Sequence, residues 1–399
     1  MWQATAWGGI GLSLYAGWLT VDDFRDRASS ERQISKTCDG LVSGAEVMDL
    51  QGGMVRAKAG YEGPLNARYL PSKCVVYRVP GEGKSEELFT LAVASSGVRG
   101  APLHEVGEKA RPDPFFVAPA GFGGKRKSDV TASAAHAEPR PIGDGTLGRY
   151  TDVETTVRMT CGPQSRDAAP SLLNVTARAN YEDVSANDRQ RLAGIAHAAA
   201  VKLAERTGCA ARLPALPDRL GPASSALHPA QSAQGSCRWF ADHLHAQGQG
   251  RLPDRVLGAP APRGNPVETC LMAVSPTQVK KVMPHVKTEN RKYARLAPWW
   301  LRTASFVGPE ADTVASRGLG HRAKIKQGTA DGNIDSVWWA SSVCDGKPAL
   351  HTLTSSYAYI EALNPTDISA LFRAYVNDFT KRRSCTQVTL PDAKDFGTS

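Results

Sequence analysis

The motifs that identify several common enzyme classes are missing from this chain of 399 residues. It has no G-x-S-x-G elbow of a serine hydrolase, no H-E-x-x-H helix of a zinc peptidase and no G-x-G-x-x-G loop of a dinucleotide-binding fold. No two cysteines form a C-x-x-C pair, and no group of cysteines and histidines has zinc-finger spacing. The sequence therefore predicts no catalytic residue, no cofactor and no metal ligand.

Two local patterns resemble sites but lack the required chemistry. Residues 121–125 resemble a phosphate loop, but Pro119 stands where its first glycine belongs and Arg126 where a hydroxyl would bind magnesium. His243 and His245 are two residues apart, a spacing that suits a metal site on a strand, whereas the surrounding residues follow a helical pattern. We interpret both as ordinary surface features.

Charge is absent from residues 2–21, and the residues that follow are abruptly polar. A helix of that length reaches about 30 Å, the thickness of the hydrocarbon layer of a bilayer. Trp2 and Trp18 lie near its two ends, where amphipathic rings favour the membrane interface. We predict a transmembrane signal anchor over 2–21, in a single-pass protein of the cell membrane, followed by a charged stalk over 22–37. A cleaved signal peptide and a buried helix are the alternatives.

Eight cysteines follow this segment, an even number that predicts disulfide bonds in an oxidising compartment. The intervals between the first four are 36, 87 and 48 residues, and those between the last four are 33, 74 and 41. This repeated order of short, long and medium indicates a tandem duplication. Because local loops are favoured, the predicted bonds are Cys38–Cys74, Cys161–Cys209, Cys237–Cys270 and Cys344–Cys385. Other pairings stay open, since eight cysteines allow many.

Local sequence also supports a duplication. Pro-Phe-Phe-Val at 114–117 reappears as Pro-Trp-Trp-Leu at 298–301. Each half then ends in a predicted helix with an apolar stripe, followed by a cysteine. The stripes are Leu192, Ile195, Ala196, Ala199 and Leu203 in the first half, and Ile368, Leu371, Phe372, Tyr375 and Phe379 in the second.

Strand-like runs precede the closing helix of each half. They cover 74–78, 88–93, 155–161 and 174–181 in the first half, and 336–344 and 352–359 in the second. We therefore predict an α+β fold with two related, disulfide-stapled modules, over 38–209 and 237–385, each an antiparallel sheet with helices. A Pro/Ala/Ser-rich linker over 210–236 joins them, and residues 386–399 are a C-terminal tail.

The chain carries a formal net charge of +9, which favours anionic partners. Basic residues concentrate just before an aromatic pair, and together they predict a possible binding surface. Its members are Trp299, Trp300, Lys280, Lys281, Lys287, Arg291, Lys292 and Arg295. Burial of both rings and a basic face that contacts only solvent are the alternatives. The predicted partners are membrane lipid through the N-terminal helix, anionic lipid or wall polymer at this surface, or another envelope protein. Nucleic acid is not expected for an exported chain.

Three motifs of the chain resemble those of a group of bacterial proteins. They are the opening Cys38-Asp39-Gly40-Leu41-Val42, the run Lys73-Cys74-Val75-Val76-Tyr77 and the helix 191–197 that leads to Cys209. The group comprises extracytoplasmic, lipoprotein-like proteins of unknown function from high-GC actinobacteria. The resemblance implies export on the extracytoplasmic side but no activity, and no lipobox precedes Cys38. We expect a non-catalytic binding, sensing or envelope-accessory protein. An envelope hydrolase with a site in one module, or a subunit of an envelope complex, is the alternative.

Overall fold

The computed structural model of the chain describes residues 22–60, 63–67, 69–79, 84–96, 103–107, 109–110, 114–115, 129–162, 171–209, 211, 213–295, 297–318, 322–334 and 336–397. No helix within these ranges is long and apolar enough to cross a membrane. The described fold class is α+β with antiparallel sheets and no membrane-spanning helix, which corrects the fold class predicted from the sequence. The predicted anchor over 2–21 lies outside the described residues.

The described helices are given in chain order. They are α1 (22–37), α2 (Gly44–Met48), α3 (Ala186–Thr207), α4 (Arg238–Gln247), α5 (Pro276–Val282), α6 (Arg291–Ala294), α7 (Tyr357–Ile360) and α8 (Pro365–Arg382). The long helices α3 and α8 carry charged side chains on one side and an apolar stripe on the other. This pattern suits packing on a sheet better than contact with lipid.

The described strands alternate with these helices. They are β1 (Ala57–Ala59), β2 (Ser72–Arg78), β3 (Glu86–Ser95), β4 (His104–Val106), β5 (Arg140–Pro141), β6 (Gly148–Tyr150), β7 (Glu154–Cys161), β8 (Ser171–Ala179), β9 (His228–Pro229), β10 (Arg255–Gly258), β11 (Val267–Ala273), β12 (Trp300–Val307), β13 (Val314–Arg317), β14 (Arg322–Lys324), β15 (Asp331–Ile334), β16 (Val337–Cys344), β17 (Lys347–Ser355) and β18 (Thr386–Thr389).

The chain forms two compact units whose boundaries differ from the predicted modules. The first contains the described parts of 22–95, 152–162 and 173–221, and the second those of 96–151, 163–172 and 222–399. The described residues of 96–151, which the sequence placed in the first module, therefore cluster with the second unit. The cysteine spacing could not show this, because it reports where the chain is linked and not where an intervening loop packs.

Five strands of the first unit lie side by side in the order β1, β2, β3, β8, β7, within a seven-stranded sheet that β6 and β5 complete, and α3 packs on β7. The predicted stripe of α3 is confirmed, since Leu192, Ile195, Ala196, Ala199 and Leu203 are all buried. Ser185 caps the helix as predicted, because its Oγ accepts a hydrogen bond of 3.0 Å from the Asp188 N–H.

The predicted stalk over 22–37 is instead the helix α1 of the first unit. Ile34 is fully buried, and Ser30 accepts a hydrogen bond of 3.1 Å from the Ala57 N–H at the start of β1. Gly44 begins α2 directly against α1, where a Cβ atom would lie only 2.1 Å from the Glu31 carbonyl oxygen. The charged side chains of this segment lie on the solvent side of the helix, and the opposite side is packed. The sequence suggested a stalk because the charged residues outnumber the few packed ones.

The second unit is a sheet in the order β15, β16, β17, β12, β11, β10, β9, with β18 also paired to β16. Its long helix α8 buries the predicted stripe Ile368, Leu371, Phe372, Tyr375 and Phe379. The predicted C-terminal tail is part of this unit: Thr386–Thr389 is a strand, and Phe396 is buried and stacked on Trp338 with ring centroids 6.0 Å apart.

The central strands of the two units have the same order and register. In the first unit Cys74 pairs with Leu91, which pairs with Ala177. In the second Cys270 pairs with Thr303, which pairs with Leu353. The order β1, β2, β3, β8, β7 thus corresponds to β10, β11, β12, β17, β16. Along the chain, the long helix comes after β8 in the first unit and after β17 in the second. All four predicted disulfide bonds are present.

One sequence match does not correspond to equivalent positions. By register, the partner of β12 is β3, whereas Phe115 lies outside any strand and in the second unit. Phe115 packs there in a small apolar cluster with Ala134, Leu271 and Trp300. Residues 114–117 and 298–301 are therefore alike only in composition. Hydrogen-bond register, and not aromatic content, shows which strands of the two units correspond.

Segments outside the two sheets' main strands also contribute to the second unit. β4 pairs in parallel with β13, and Glu138 accepts hydrogen bonds from Thr269 and Arg302. Ala230 and Ala233 of the predicted linker are buried in this unit. The linker's earlier part lies in the first unit, where the Leu220 carbonyl accepts a hydrogen bond of 3.3 Å from Arg189. The carbonyls of Pro214 and Pro217 accept hydrogen bonds from His197 and Gln190 of α3, respectively, and Pro229 lies in β9, which pairs with β10.

We expect replacement of Phe115 by alanine to destabilise the full chain by about 3 kcal/mol, because it empties the centre of a buried cluster. Phe24→Ala is the matched control, since that ring is 77% exposed and its loss should cost less than about 0.5 kcal/mol. Urea unfolding measures both. Equal stability of the two variants would contradict the assignment of residue 115 to the second unit's core.

Candidate functional site

A histidine meets two serines and a tyrosine beneath the sheet of the second unit. His351 Nδ1 lies 2.7 Å from Ser305 Oγ, and its Nε2 lies 2.8 Å from Ser342 Oγ. The Tyr375 hydroxyl lies 2.5 Å from Ser305 Oγ. Burial lowers the pKa of His351 to about 3, with a further contribution from the Arg383 charge. The imidazole is therefore neutral, with one ring nitrogen donating and the other accepting.

This network does not have the access that a hydrolase needs. His351, Ser305 and Tyr375 have at most 1% of their surface exposed, and Ser342 only 4%. Register places Val93 and Val175 of the first unit at the positions of Ser305 and His351. Both valines are fully buried, so the same fold accepts an apolar core there. We interpret the network as a satisfied polar core and not as a catalytic triad.

A second histidine meets a carboxylate in the same unit. His104 Nε2 lies 2.5 Å from Glu310 Oε2, and the His104 ring packs on Phe306 with centroids 4.8 Å apart. Both residues are buried, and the contact helps to hold β4 on the second unit. In the described ranges, no group of three or more His, Cys, Asp or Glu residues is arranged to hold a metal ion.

The structure separates the aromatic and basic members of the predicted binding surface. Trp299 and Trp300 are buried, with 1% and 6% of their surface exposed, so neither indole can contact a partner. Trp299 instead donates its indole N–H to the Ala294 carbonyl at 2.9 Å and stacks on Tyr359. The aromatic pair was wrongly assigned to the surface because adjacent strand residues face opposite sides, and here both sides are covered.

The basic residues lie on one segment, residues 276–295, which we call the basic platform. It contains α5, the turn Met283–His285 and α6, and it connects β11 to β12. Val282, Met283, Val286 and Ala294 bury its inner side in the main core of the second unit.

Specific hydrogen bonds hold the platform at both ends. Asp254 accepts hydrogen bonds from the Ser275 N–H and hydroxyl at 2.7 and 2.5 Å, and Ser275 Oγ caps α5 by accepting from the Gln278 N–H. At the other end Asn290 donates to both oxygens of Glu361 at 2.7 Å. The platform is therefore a fixed support and not a loose loop.

The cations of the platform differ in role. Arg291 is half-buried and donates to the carbonyls of Val286 and Pro284, each at 3.0 Å, so it shapes the turn. Five others are exposed at the surface: Lys280, Lys281, Lys287, Lys292 and Arg295. Among the described residues, none of these five side chains forms an ion pair or a hydrogen bond.

Many of the described arginines outside the platform are paired with a carboxylate. Ion pairs with Asp or Glu engage Arg27, Arg56, Arg178, Arg189, Arg191, Arg206, Arg255, Arg263, Arg302, Arg317, Arg322, Arg382 and Arg383. Arg302, near the end of the basic run in the sequence, is one of them, bound to Glu138 at 2.9 Å. The platform thus presents positive charge that the described protein does not neutralise, and it can attract anions.

Sequence reasoning missed the residues that build the platform. Ser275 followed by Pro276 and, three residues after the serine, Gln278 is a helix-start signal that could have located α5. The roles of Asp254 and Glu361 had no such signal, because their partners are 21 and 71 residues away in the chain.

Comparisons of the chain with protein-family models, with curated proteins and with solved structures found no match. The resemblance to actinobacterial extracytoplasmic proteins therefore stays a prediction.

We expect His351 to make the fold acid-sensitive. The unfolded imidazole takes up a proton below about pH 6.5, whereas the buried one resists protonation down to about pH 3. Stability is thus full above pH 6.5 and falls as the pH decreases, by about 2 kcal/mol at pH 5.

The Ser305→Val/His351→Val variant copies the first unit and should lose this part of the acid dependence. Urea unfolding at pH 8 and pH 5 measures the difference, with the exposed His245→Val as control. At pH 8 we expect the double variant to stay within about 2 kcal/mol of the parent chain, because apolar groups replace a buried polar pair. An unchanged acid dependence would show that His351 is not its source.

Proposed function

We propose that this chain is a non-catalytic binding protein whose basic platform binds an extended anionic partner. The observation that carries the proposal is the set of five exposed, unpaired cations on a support that is fixed at both ends. A lysine or arginine without a carboxylate partner keeps its full attraction for a phosphate or carboxylate of another molecule. The absence of an accessible catalytic constellation in the described residues is consistent with binding as the role.

We also propose that the two units arose by duplication of one ancestral module. Shared strand order, shared register and two disulfides at corresponding points of each unit support this. In the first unit β2 ends at Arg78 and β3 begins at Glu86, whereas the corresponding strands of the second unit are separated by residues 274–299. The platform is thus an insertion in one copy of the scaffold. Such an insertion is where a function specific to that copy is expected.

An extracytoplasmic location is the third part of the proposal. All eight cysteines are paired, and such bonds persist in oxidising compartments and are rare in the cytosol. If the proposal is right, protein isolated from cells with an alkylating agent present from lysis onward should show no alkylated cysteine by mass spectrometry. Alkylation of several cysteines in native material would contradict it.

The binding proposal is tested with soluble polyphosphate as the anionic probe. We expect the full chain to bind it at low ionic strength and to release it as salt is added, because exposed charges are screened. The Lys280→Glu/Lys281→Glu/Lys287→Glu variant should bind at least about tenfold more weakly, since like charges then face the probe.

The control for this experiment is Lys324→Glu/Lys326→Glu/Lys381→Glu, which makes the same change of charge on exposed lysines of the same unit outside the platform. Fluorescence anisotropy of labelled polyphosphate gives both affinities, and circular dichroism verifies that both variants fold. Equal weakening in the two variants would indicate a response to net charge alone and would contradict a specific platform.

A further inference from the structure

The exposed side chains of the platform suit a contact spread over several separate charges better than a pocket for one small molecule. Lysine is a compact point charge on a flexible stem, whereas arginine holds one phosphate or carboxylate in a fixed two-pronged geometry. The exposed cations are mostly lysines, and Arg291 is occupied by two backbone carbonyls. Two cavities of the described residues, of about 770 and 570 Å³, are lined by residues of the first unit.

An exposed aromatic ring lies next to this segment. Tyr357 begins α7 and has 63% of its surface exposed. The helix α7 packs against α6 of the platform, and Glu361, which follows α7, binds Asn290. The position of α7 is fixed by Ser356, whose backbone N–H donates to the Trp300 carbonyl at 3.0 Å. A fixed tyrosine at the border of a cluster of lysines combines an apolar ring with positive charge.

We infer that the basic platform and Tyr357 together form a peripheral contact with an anionic lipid bilayer, an inference that rests on the proposed function. The lysines lie against the headgroup phosphates, and the tyrosine ring enters the headgroup layer, where amphipathic rings are favoured. Val282, Met283 and Val286 of the platform are buried in the protein core and cannot insert. Binding is therefore superficial, reversible and sensitive to salt.

A bilayer fits these features better than a soluble polyanion. A phosphate polymer would engage the lysines equally well, but it has no apolar layer to receive the ring of Tyr357. A bilayer also presents many phosphates at one surface, which can engage several separate cations of residues 280–295 at once. The role of Tyr357 therefore distinguishes the two kinds of partner.

The experiment measures sedimentation of the full chain with vesicles of phosphatidylglycerol and phosphatidylcholine in equal parts, with phosphatidylcholine vesicles alone as the neutral surface. We expect binding to the anionic vesicles only. The platform triple variant should reduce the partition coefficient at least about a hundredfold, since each lysine near the surface contributes about fivefold. Tyr357→Ala should reduce it about fivefold and leave the affinity for soluble polyphosphate unchanged.

Tyr69→Ala is the matched control, since Tyr69 is a tyrosine of the first unit with 77% of its surface exposed. It should leave vesicle binding unchanged. Polyphosphate binding without vesicle binding, or vesicle binding that does not respond to Tyr357→Ala, would overturn the bilayer inference and leave the proposed function standing. Failure to bind either probe, with the variants folded, would overturn both.

Discussion

The packing of one long helix on the inner face of an antiparallel sheet is the contact on which each unit depends. Ile195 and Leu203 of α3, and Leu371 and Phe379 of α8, lose essentially all their exposure in this contact. A disulfide then joins the residue that follows the helix to the end of a strand, through Cys161–Cys209 in one unit and Cys344–Cys385 in the other. The buried stripe supplies hydrophobic stabilisation, and the covalent link restricts the unfolded chain.

The two units share this packing of helix on sheet but fill the space between helix and sheet with different side chains. Where α3 presents Ala196 and Ala199 to its sheet, α8 presents the much larger Phe372 and Tyr375 at the corresponding turns. The second unit also places hydroxyls and an imidazole where the first has valines. A buried polar group is acceptable only when its hydrogen bonds are made, and the chain of contacts from Tyr375 through His351 to Ser342 makes them.

The platform shows how a surface can be built from buried parts. Trp299 was expected to touch a partner, yet its use is to hold the end of α6 through the Ala294 carbonyl. Asp254 and Glu361, from other elements, accept hydrogen bonds from Ser275 and Asn290 at the two ends of the segment. The lysine side chains are flexible, but these bonds hold the backbone that carries them. The positive charge is thus local and fixed in place, although the individual side chains are not.

What the sequence determined by itself was whatever depends on short range or on covalent spacing. The α+β class, the helical stripes, the cap at Ser185 and all four disulfide pairs followed from periodicity and cysteine intervals, because these report local geometry. Only tertiary structure decided that the described residues of 96–151 cluster with the second unit, that 22–37 is a packed helix and that Trp299 and Trp300 are buried. Those outcomes depend on contacts between residues distant in the chain, and a single sequence carries no record of which distant surfaces meet.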